Sequence, residues 1–311
     1  MEKEFEIMNL LEQKQQLEHK LKSLIYGSIE IRENNGNKYI YVHYREDGIL
    51  LTKYVGEYSD NLYNLILNNS ITAKGLKKEI KDISKKLKNL NYSEEKLDSN
   101  IEINIDFAKR HLVDTIYKQA ILEGVATTFA DTESIIEGGK VNNMTSEDVL
   151  KIINLKHAWE FILNPNVILT VPNLSLLCQI NKFVEEGFYY TAGKIRSTPV
   201  SIGGTDWTPD LPIESVIKEE LEEILNSDID IVDKSIELLL YVMRKQIFID
   251  GNKRTAVIFA NHYLISKGYG IIVIPSELTE EFKTLLLSYY QNKDEIEIRK
   301  FLKEKCYINF K

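Results

Sequence analysis

The chain has 311 residues, a formal net charge of −8 and a hydrophobic fraction of 43%. This length allows one domain of about 200 residues with a smaller module, or two domains. The acidic balance argues weakly against non-specific nucleic-acid binding, because phosphate contacts need clustered Lys and Arg. The longest apolar runs are too short to cross a bilayer, and the first ten residues alternate charged with apolar side chains, unlike a signal peptide.

The cysteines are Cys178 and Cys306. Two cysteines without metal-ligand spacing make a disulfide framework implausible. We therefore expect a protein of the reducing cytoplasm that does not associate with membranes.

The first hundred residues predict a small α+β module. Apolar residues at helical spacing over 4–24 predict an amphipathic helix, with pairing in a coiled coil left open. Alternation over 28–33 and 38–43, with Asn34-Asn35-Gly36-Asn37 between them, predicts a hairpin. A second turn at 46–48 leads to a third strand over 49–55. Helices predicted over 60–67 and 73–90 would cover one face of this sheet.

The second of these helices is rich in lysine between Lys74 and Lys88. A solvated helix face is the favoured interpretation. Contact with a partner or with nucleic acid is the alternative.

A polar linker is predicted over 91–100, and residues 101–311 are predicted to form a mostly helical domain. The short stretch 194–202 alternates, and we expect a surface hairpin there. The predicted helices of this domain span 107–122, 146–163, 173–186, 209–225, 233–245, 255–267, 276–291 and 294–305.

One run carries chemistry: Asp250, Gly251, Asn252, Lys253 and Arg254 stand consecutively before a helical segment. A helix start offers free N–H groups to an anion, and glycine lets the backbone approach closely. The amide of Asn252 and the two cations suit phosphate, and Asp250 is a hard oxygen ligand for Mg²⁺. A capped helix start with solvated cations is the structural alternative.

Other nucleotide or metal motifs are missing from the sequence. Gly138-Gly139-Lys140 lacks the glycine spacing of a P-loop, and no GxGxxG occurs. The five histidines are scattered, and His262 inside the helix after the motif is expected to be structural.

The run from Gln246 to Thr255 resembles the signature of the Fic/Doc (Fido) family, His-x-Phe-x-Asp/Glu-Gly-Asn-Gly-Arg-x-x-Arg. The matching residues are Phe248, Asp250, Gly251, Asn252 and Arg254, with Lys253 as in Doc-like members. The resemblance covers roughly 105–311 and implies a Fido helical core with a β-hairpin flap. The flap would lie at 192–204, with Ile195 and Arg196 contacting the target. Residues 132–138 are similar to the family's inhibitory helix, with Glu137 as the inhibitory residue.

The resemblance implies transfer of AMP, or another phosphate-containing group, from a nucleotide to a protein hydroxyl. The motif histidine would be the base, Asp250 would hold Mg²⁺, and Gly251 with Asn252 would form the anion site. ATP or another nucleotide, Mg²⁺ and a target protein are the implied ligands. A homodimer stays open, and nucleic acid is not indicated for the core.

Three departures limit this implication. Gln246 occupies the position of the base, and an amide is not basic near neutral pH. Val257 replaces the second arginine, so Glu137 loses its expected partner and is either a relic, a partner of Arg254 or Lys253, or a helix-end residue.

Three hypotheses follow. The chain is a nucleotide-binding protein with weakened transfer, an active transferase or Doc-like kinase with altered chemistry, or an inactive interaction or regulatory protein. The third would be toxin–antitoxin-like or a mobile-element accessory factor, acting through residues 1–100.

Overall fold

A computed structural model of the chain describes residues 2–46, 49–92, 97–292 and 295–310. The chain divides into two compact units with the boundary at residues 93–94, and the segment Lys3–Met8 is grouped with the second unit.

The first unit contains a three-stranded antiparallel sheet. Its elements are α1 (Glu2–Ser23), β1 (Ser28–Asn34), β2 (Asn37–Glu46), β3 (Ile49–Glu57) and α2 (Asp60–Asn89). The predicted hairpin is confirmed, because Asn34 pairs with Asn37, and Asn35 and Gly36 both have positive φ. The predicted turn at 46–48 includes Asp47 and Gly48, which lie outside the described residues.

Helix α2 covers one face of this sheet. Ile40 and Val42 of β2 are buried against Ile66 of α2. The prediction of two separate helices over 60–67 and 73–90 is wrong, because α2 is one continuous helix of 30 residues. Ser70 lies at the predicted break. Its hydroxyl donates to the carbonyl of Ile66 at 2.8 Å, so this polar side chain has a hydrogen-bond partner within the helix.

In the part of the second unit that the structure describes, the regular elements are helices and one short strand pair. Its elements are α3 (Ser99–Arg110), α4 (Leu112–Leu122), α5 (Phe129–Ile136), α6 (Ser146–Ile162), α7 (Pro165–Ile168), α8 (Leu174–Val184), α9 (Glu214–Asn226), α10 (Ile231–Lys245), α11 (Asn252–Ser266), β4 (Ile271–Ile272), a 3₁₀ turn (Ser276–Leu278), α12 (Thr279–Asn292), α13 (Ile296–Phe301), a π-helical turn (Leu302–Cys306) and β5 (Tyr307–Ile308).

Three predictions for this unit are corrected. The helix expected over 107–122 breaks at His111, which ends α3 and precedes α4. The helix expected from 209 begins at Glu214, because Pro209 and Pro212 favour extended neighbours. No strand lies within the described stretch 194–202, so the expected hairpin is wrong.

Helix α11 is the centre of the second unit. All of its residues except Lys253 and Ser266 are buried, and it packs against α6, α8 and α10. Its N-terminus therefore has a fixed position, and the motif loop is attached to it. No helix in the described ranges is both long and apolar enough to traverse a bilayer.

Candidate anion-binding site at the start of α11

The motif loop joins α10 to α11 through two residues in left-handed conformation. Gln246 caps α10 with φ 47°, and Gly251 precedes α11 with φ 73°. Glycine is required at the second position for a further reason. A Cβ there would lie 2.4 Å from Glu185 Oε1.

The side chain of Asn252 closes the loop. Its Oδ1 accepts from the Phe248 N–H at 3.0 Å, and its Nδ2 donates to the Phe248 carbonyl at 2.8 Å and to Gln246 Oε1 at 3.1 Å. The residue is buried. The amide predicted to hold phosphate is thus already engaged within the loop, and it is the backbone N–H groups at the helix start that point outward from the first turn.

Gln246 is engaged at both ends of its amide. Its Nε2 donates to the Met243 carbonyl at 2.5 Å, its Oε1 accepts from Asn252, and a further hydrogen bond joins it to Tyr290. An amide held in this way helps to fix the loop. It cannot accept a proton from a hydroxyl near neutral pH.

Arg254 forms a buried ion pair with Glu185, a residue that the sequence prediction missed. Arg254 Nη2 donates to Glu185 Oε1 at 2.7 Å, and both residues are at most 3% exposed. Burial raises the pKa of Glu185 to about 7, against the opposing effect of Arg254. The carboxylate also lies against Gly251, so it occupies the side of the loop that glycine leaves open.

Glu123, at the end of α4, faces both cations of the motif. Its oxygens lie 3.5 Å from Lys253 Nζ and 3.6 Å from Arg254 Nε. These separations exceed a hydrogen bond. Arg254 Nε and Nη1 consequently have no hydrogen-bond partner among the described residues, although both atoms are buried. Buried donors of a guanidinium without acceptors are uncommon and indicate a place for an anion.

Asp250 is the exposed acid of the site. Its side chain is 53% exposed, and Oδ1 accepts from the Gly251 N–H at 2.7 Å. No group of three or more His, Cys, Asp or Glu side chains with metal-binding geometry occurs among the described residues. One carboxylate nevertheless suits Mg²⁺, which proteins commonly hold by one or two carboxylates together with phosphate oxygens.

Asn181 of α8 anchors the loop from outside the motif. Its Nδ2 donates to the Asp250 carbonyl at 3.0 Å and to Thr255 Oγ1 at 3.2 Å, while its Oδ1 accepts from the Gly193 N–H. Nothing in the local sequence marks Asn181 or Glu185 for this role. Asn181 lies 69 positions before Asp250, and Glu185 lies 69 positions before Arg254.

Arg196 is a structural residue in this conformation. Its guanidinium donates to the carbonyls of Gln246 at 2.6 Å, Thr198 at 2.8 Å and Asp210 at 2.6 Å. It is 3% exposed. The guanidinium of Arg196 is therefore engaged within the unit in this conformation, and its contact with a target stays a prediction. Ile195 is half-buried, and its target-binding role stays a prediction.

Glu137 ends α5 and is exposed. No described residue forms an ion pair with it, since Arg254 pairs with Glu185 and both motif cations face Glu123. Pairing of Glu137 with Arg254 or Lys253 is thus wrong, and the helix-end interpretation fits its position.

The second unit is a helical domain in which the motif loop leads into the buried helix α11. Residues 171–264 match the family model "Fic/DOC family". This match places a Fic/DOC family domain within the second unit.

Solved structures share the fold. Fic-1 from C. elegans aligns with a TM-score of 0.53 at 16% identity, covering 75% of this chain and 71% of that one. A Fic domain containing signaling protein from Bacteroides thetaiotaomicron aligns at 0.51 and 20%, covering 62% and 76%. A Fic family protein from Desulfovibrio desulfuricans aligns at 0.52 and 14%, covering 67% and 72%. Identities this low show the fold alone.

The first unit has a different match. Residues 7–64 correspond to a domain of unknown function (DUF6788). No curated protein matches the chain.

Proposed function

We propose that the second unit binds the phosphate groups of a nucleotide together with Mg²⁺ at the start of α11. We further propose that it transfers AMP only weakly. The observation that carries the first part is the buried guanidinium of Arg254. Two of its nitrogens, Nε and Nη1, have no acceptor among the described residues, and they lie at the start of a 15-residue helix whose first amides are free. Both features favour an anion at the same place.

Nucleotide binding would compete with Glu185. The carboxylate of Glu185 contacts Arg254 and packs against Gly251, so it stands where an incoming phosphate would contact the same two residues. A phosphate brings more negative charge and more acceptor oxygens than one carboxylate. It would satisfy Arg254 Nε and Nη1, which Glu185 leaves unpartnered.

Asp250 is the residue that would hold Mg²⁺. It is exposed, and its Oδ1 accepts from the Gly251 N–H, whereas its Oδ2 has no hydrogen-bond partner among the described residues. The ion would neutralise phosphate charge when bound. Lys253, which is one-third exposed, would add a second cation once its contact with Glu123 is exchanged for phosphate.

Transfer is expected to be slow because the position next to the loop holds Gln246. A missing general base costs on the order of 10²–10⁴ in rate. The amide is also tied to Met243 and Asn252, so it is not free to orient a hydroxyl.

Calorimetric titration of the whole chain with ATP–Mg²⁺ tests the binding. We expect a measurable affinity that falls at least tenfold in Arg254→Lys, which keeps the charge but loses the planar fork. The exposed Lys194→Gln is the control and should bind like the wild type. Equal affinity of wild type and Arg254→Lys, with both folded, would contradict the proposal.

Transfer is tested separately with ATP labelled at the α- or γ-phosphate and a cell lysate as the source of targets. We expect the wild type to transfer little label to protein. We expect Gln246→His to transfer more label from ATP that is labelled at the α-phosphate. Strong transfer of γ-label by the wild type would instead assign a kinase.

A further inference from the structure

The first unit carries a concentration of positive charge that the chain as a whole does not have. Residues 9–93 contain 14 Lys and Arg against 10 Asp and Glu, a net charge of +4, whereas the whole chain has −8. Such asymmetry between parts of a chain is typical of a unit with an anionic partner.

Six exposed lysines of α2 form one surface, which we call the basic face: Lys74, Lys77, Lys78, Lys81, Lys85 and Lys88. Helical spacing places all six within an arc of about 100° and along about 21 Å of the helix. No other residue between positions 74 and 88 falls in this arc. The neighbouring arc carries the buried Ala73, Leu76, Ile83 and Leu87. The basic face is therefore an uninterrupted row of cations.

Most of this charge is not neutralised. Lys85 pairs with Asp82 at 3.3 Å. The remaining five lysines form no ion pair with any residue that the structure describes, and Lys77 lies over the ring of Tyr26 at 4.7 Å. Exposed helices usually intersperse acids with lysines at i,i+4, and a row without them is repulsive by itself. Its repulsion would be relieved by an anionic partner.

A pocket of about 270 Å³ lies in the same unit. Its lining includes the cations Lys22, Arg45 and Lys53 and the rings of Tyr26 and Tyr44, and it contains no carboxylate. The three cations have no ion pair within the described ranges. A pocket with aromatic rings and only positive charge suits a flat base next to a phosphate.

The pocket and the basic face share a border. Tyr26 lines the pocket, and Lys77 of the basic face lies over its ring. The loop that carries Tyr26 is held to α2 by three hydrogen bonds. Gly27 N–H donates to Ser70 Oγ at 3.2 Å, Ser70 Oγ donates to the Gly27 carbonyl at 3.3 Å, and Asn69 Nδ2 donates to the Ile25 carbonyl at 3.1 Å. The two features thus form one surface of fixed shape.

We propose that the first unit binds single-stranded nucleic acid, with the backbone phosphates along the basic face and one base in the pocket of Tyr26 and Tyr44. Evenly spaced lysines fit a chain of phosphates. A base in a duplex is stacked and cannot enter a pocket, whereas an unpaired base can. An acidic polypeptide would match the lysines, but each nucleotide brings a planar base beside its phosphate and so matches both the lysines and the ring-lined pocket. The arc of the basic face carries no apolar side chain with which to enter a membrane.

Fluorescence anisotropy with a labelled oligothymidylate of about 20 nucleotides tests the proposal on the full chain. We expect binding whose logarithm falls linearly with the logarithm of the salt concentration. Lys81→Gln should weaken binding and reduce the salt slope by about 0.7. Lys86→Gln, on the same helix but outside the arc, is the matched control and should leave both unchanged.

The pocket is tested by Tyr26→Leu and Tyr44→Leu. Loss of stacking should weaken binding about fivefold or more without changing the salt slope. Circular dichroism of each variant reports whether the unit stays folded, and Lys81→Gln is an exposed change that should not affect folding.

Several results would overturn the proposal. These are the absence of binding at low salt, equal effects of Lys81→Gln and Lys86→Gln, tighter binding of duplex than of single strand, and equal displacement by polyglutamate. Binding to vesicles of anionic lipid that exceeds binding to the oligonucleotide would also overturn it.

Discussion

The motif loop and the basic face each carry a group of cations, and they differ in how those charges are neutralised. In the loop, Arg254 is buried and faces Glu185 and Glu123. On the basic face, Lys74, Lys78 and the other lysines are exposed and mostly unpaired. A cation that is buried and paired binds a ligand only by exchanging partners, whereas an exposed one needs no exchange. The loop should therefore be selective, and the basic face strongly dependent on salt.

The largest loss of stability is expected on substitution of Arg196. Arg196→Met removes a buried guanidinium that donates to the carbonyls of Gln246 and Asp210. The free energy of unfolding should fall by about 3–5 kcal/mol, because several buried acceptors lose their donor. Urea denaturation measures this, with the exposed Lys194→Met as control. A loss below about 1 kcal/mol would mean that Arg196 is not structural.

Stability should fall in acid because of His262. Its imidazole is fully buried, its Nε2–H donates to the Val167 carbonyl at 3.0 Å, and burial lowers its pKa from 6.5 to about 4. Between these pH values the unfolded chain binds more protons than the folded one. The free energy of unfolding should thus decrease by about 1.4 kcal/mol per pH unit from this residue as pH falls.

Denaturation of His262→Gln as a function of pH isolates this contribution. The glutamine can keep the donor but does not titrate, so the slope between pH 6.5 and 4 should become shallower. The exposed His157→Gln should keep the wild-type slope. An unchanged slope in His262→Gln would contradict the assignment.

A smaller loss is expected at Asn252. Asn252→Ala removes three hydrogen bonds from the loop and leaves the Phe248 N–H unpaired, so the free energy of unfolding should fall by about 2 kcal/mol. Thermal denaturation measures this effect. A neutral change would show that the loop does not depend on Asn252.

The smallest effect on stability is expected on the basic face. Lys85→Gln removes an exposed contact with Asp82 and should change the free energy of unfolding by less than about 0.5 kcal/mol. Relief of repulsion among the neighbouring lysines could make the change stabilising. A large loss would mean that Lys85 supports the fold, and would weaken its assignment to a binding surface.

The sequence predicts the features of this protein that depend on neighbouring residues. The hairpin follows from Asn35-Gly36, and the start of a helix just after Gly251 follows from the motif and the apolar pattern behind it. Contacts between distant segments are not predictable in this way. Glu185 reaches Arg254 across 69 positions, and nothing in the local sequence marks it.

Residue type also left open whether a charge is exposed or buried. The burial of Arg196 depends on carbonyls from Gln246, Thr198 and Asp210, which the local sequence does not bring together. The helices predicted over 60–67 and 73–90 form one helix, in which the Ser70 hydroxyl donates to the carbonyl of Ile66 and does not interrupt the helix.

The central claim is that phosphate and Glu185 compete for Arg254, and the most direct measurement is a calorimetric titration of Glu185→Gln with ATP–Mg²⁺. At pH 8, above the pKa of about 7 of Glu185 and thus with its carboxylate mostly ionised, Glu185→Gln should increase the affinity severalfold over the wild type, while the exposed Glu186→Gln should not change it. An affinity of Glu185→Gln equal to or lower than that of the wild type, in a folded protein, would contradict the account.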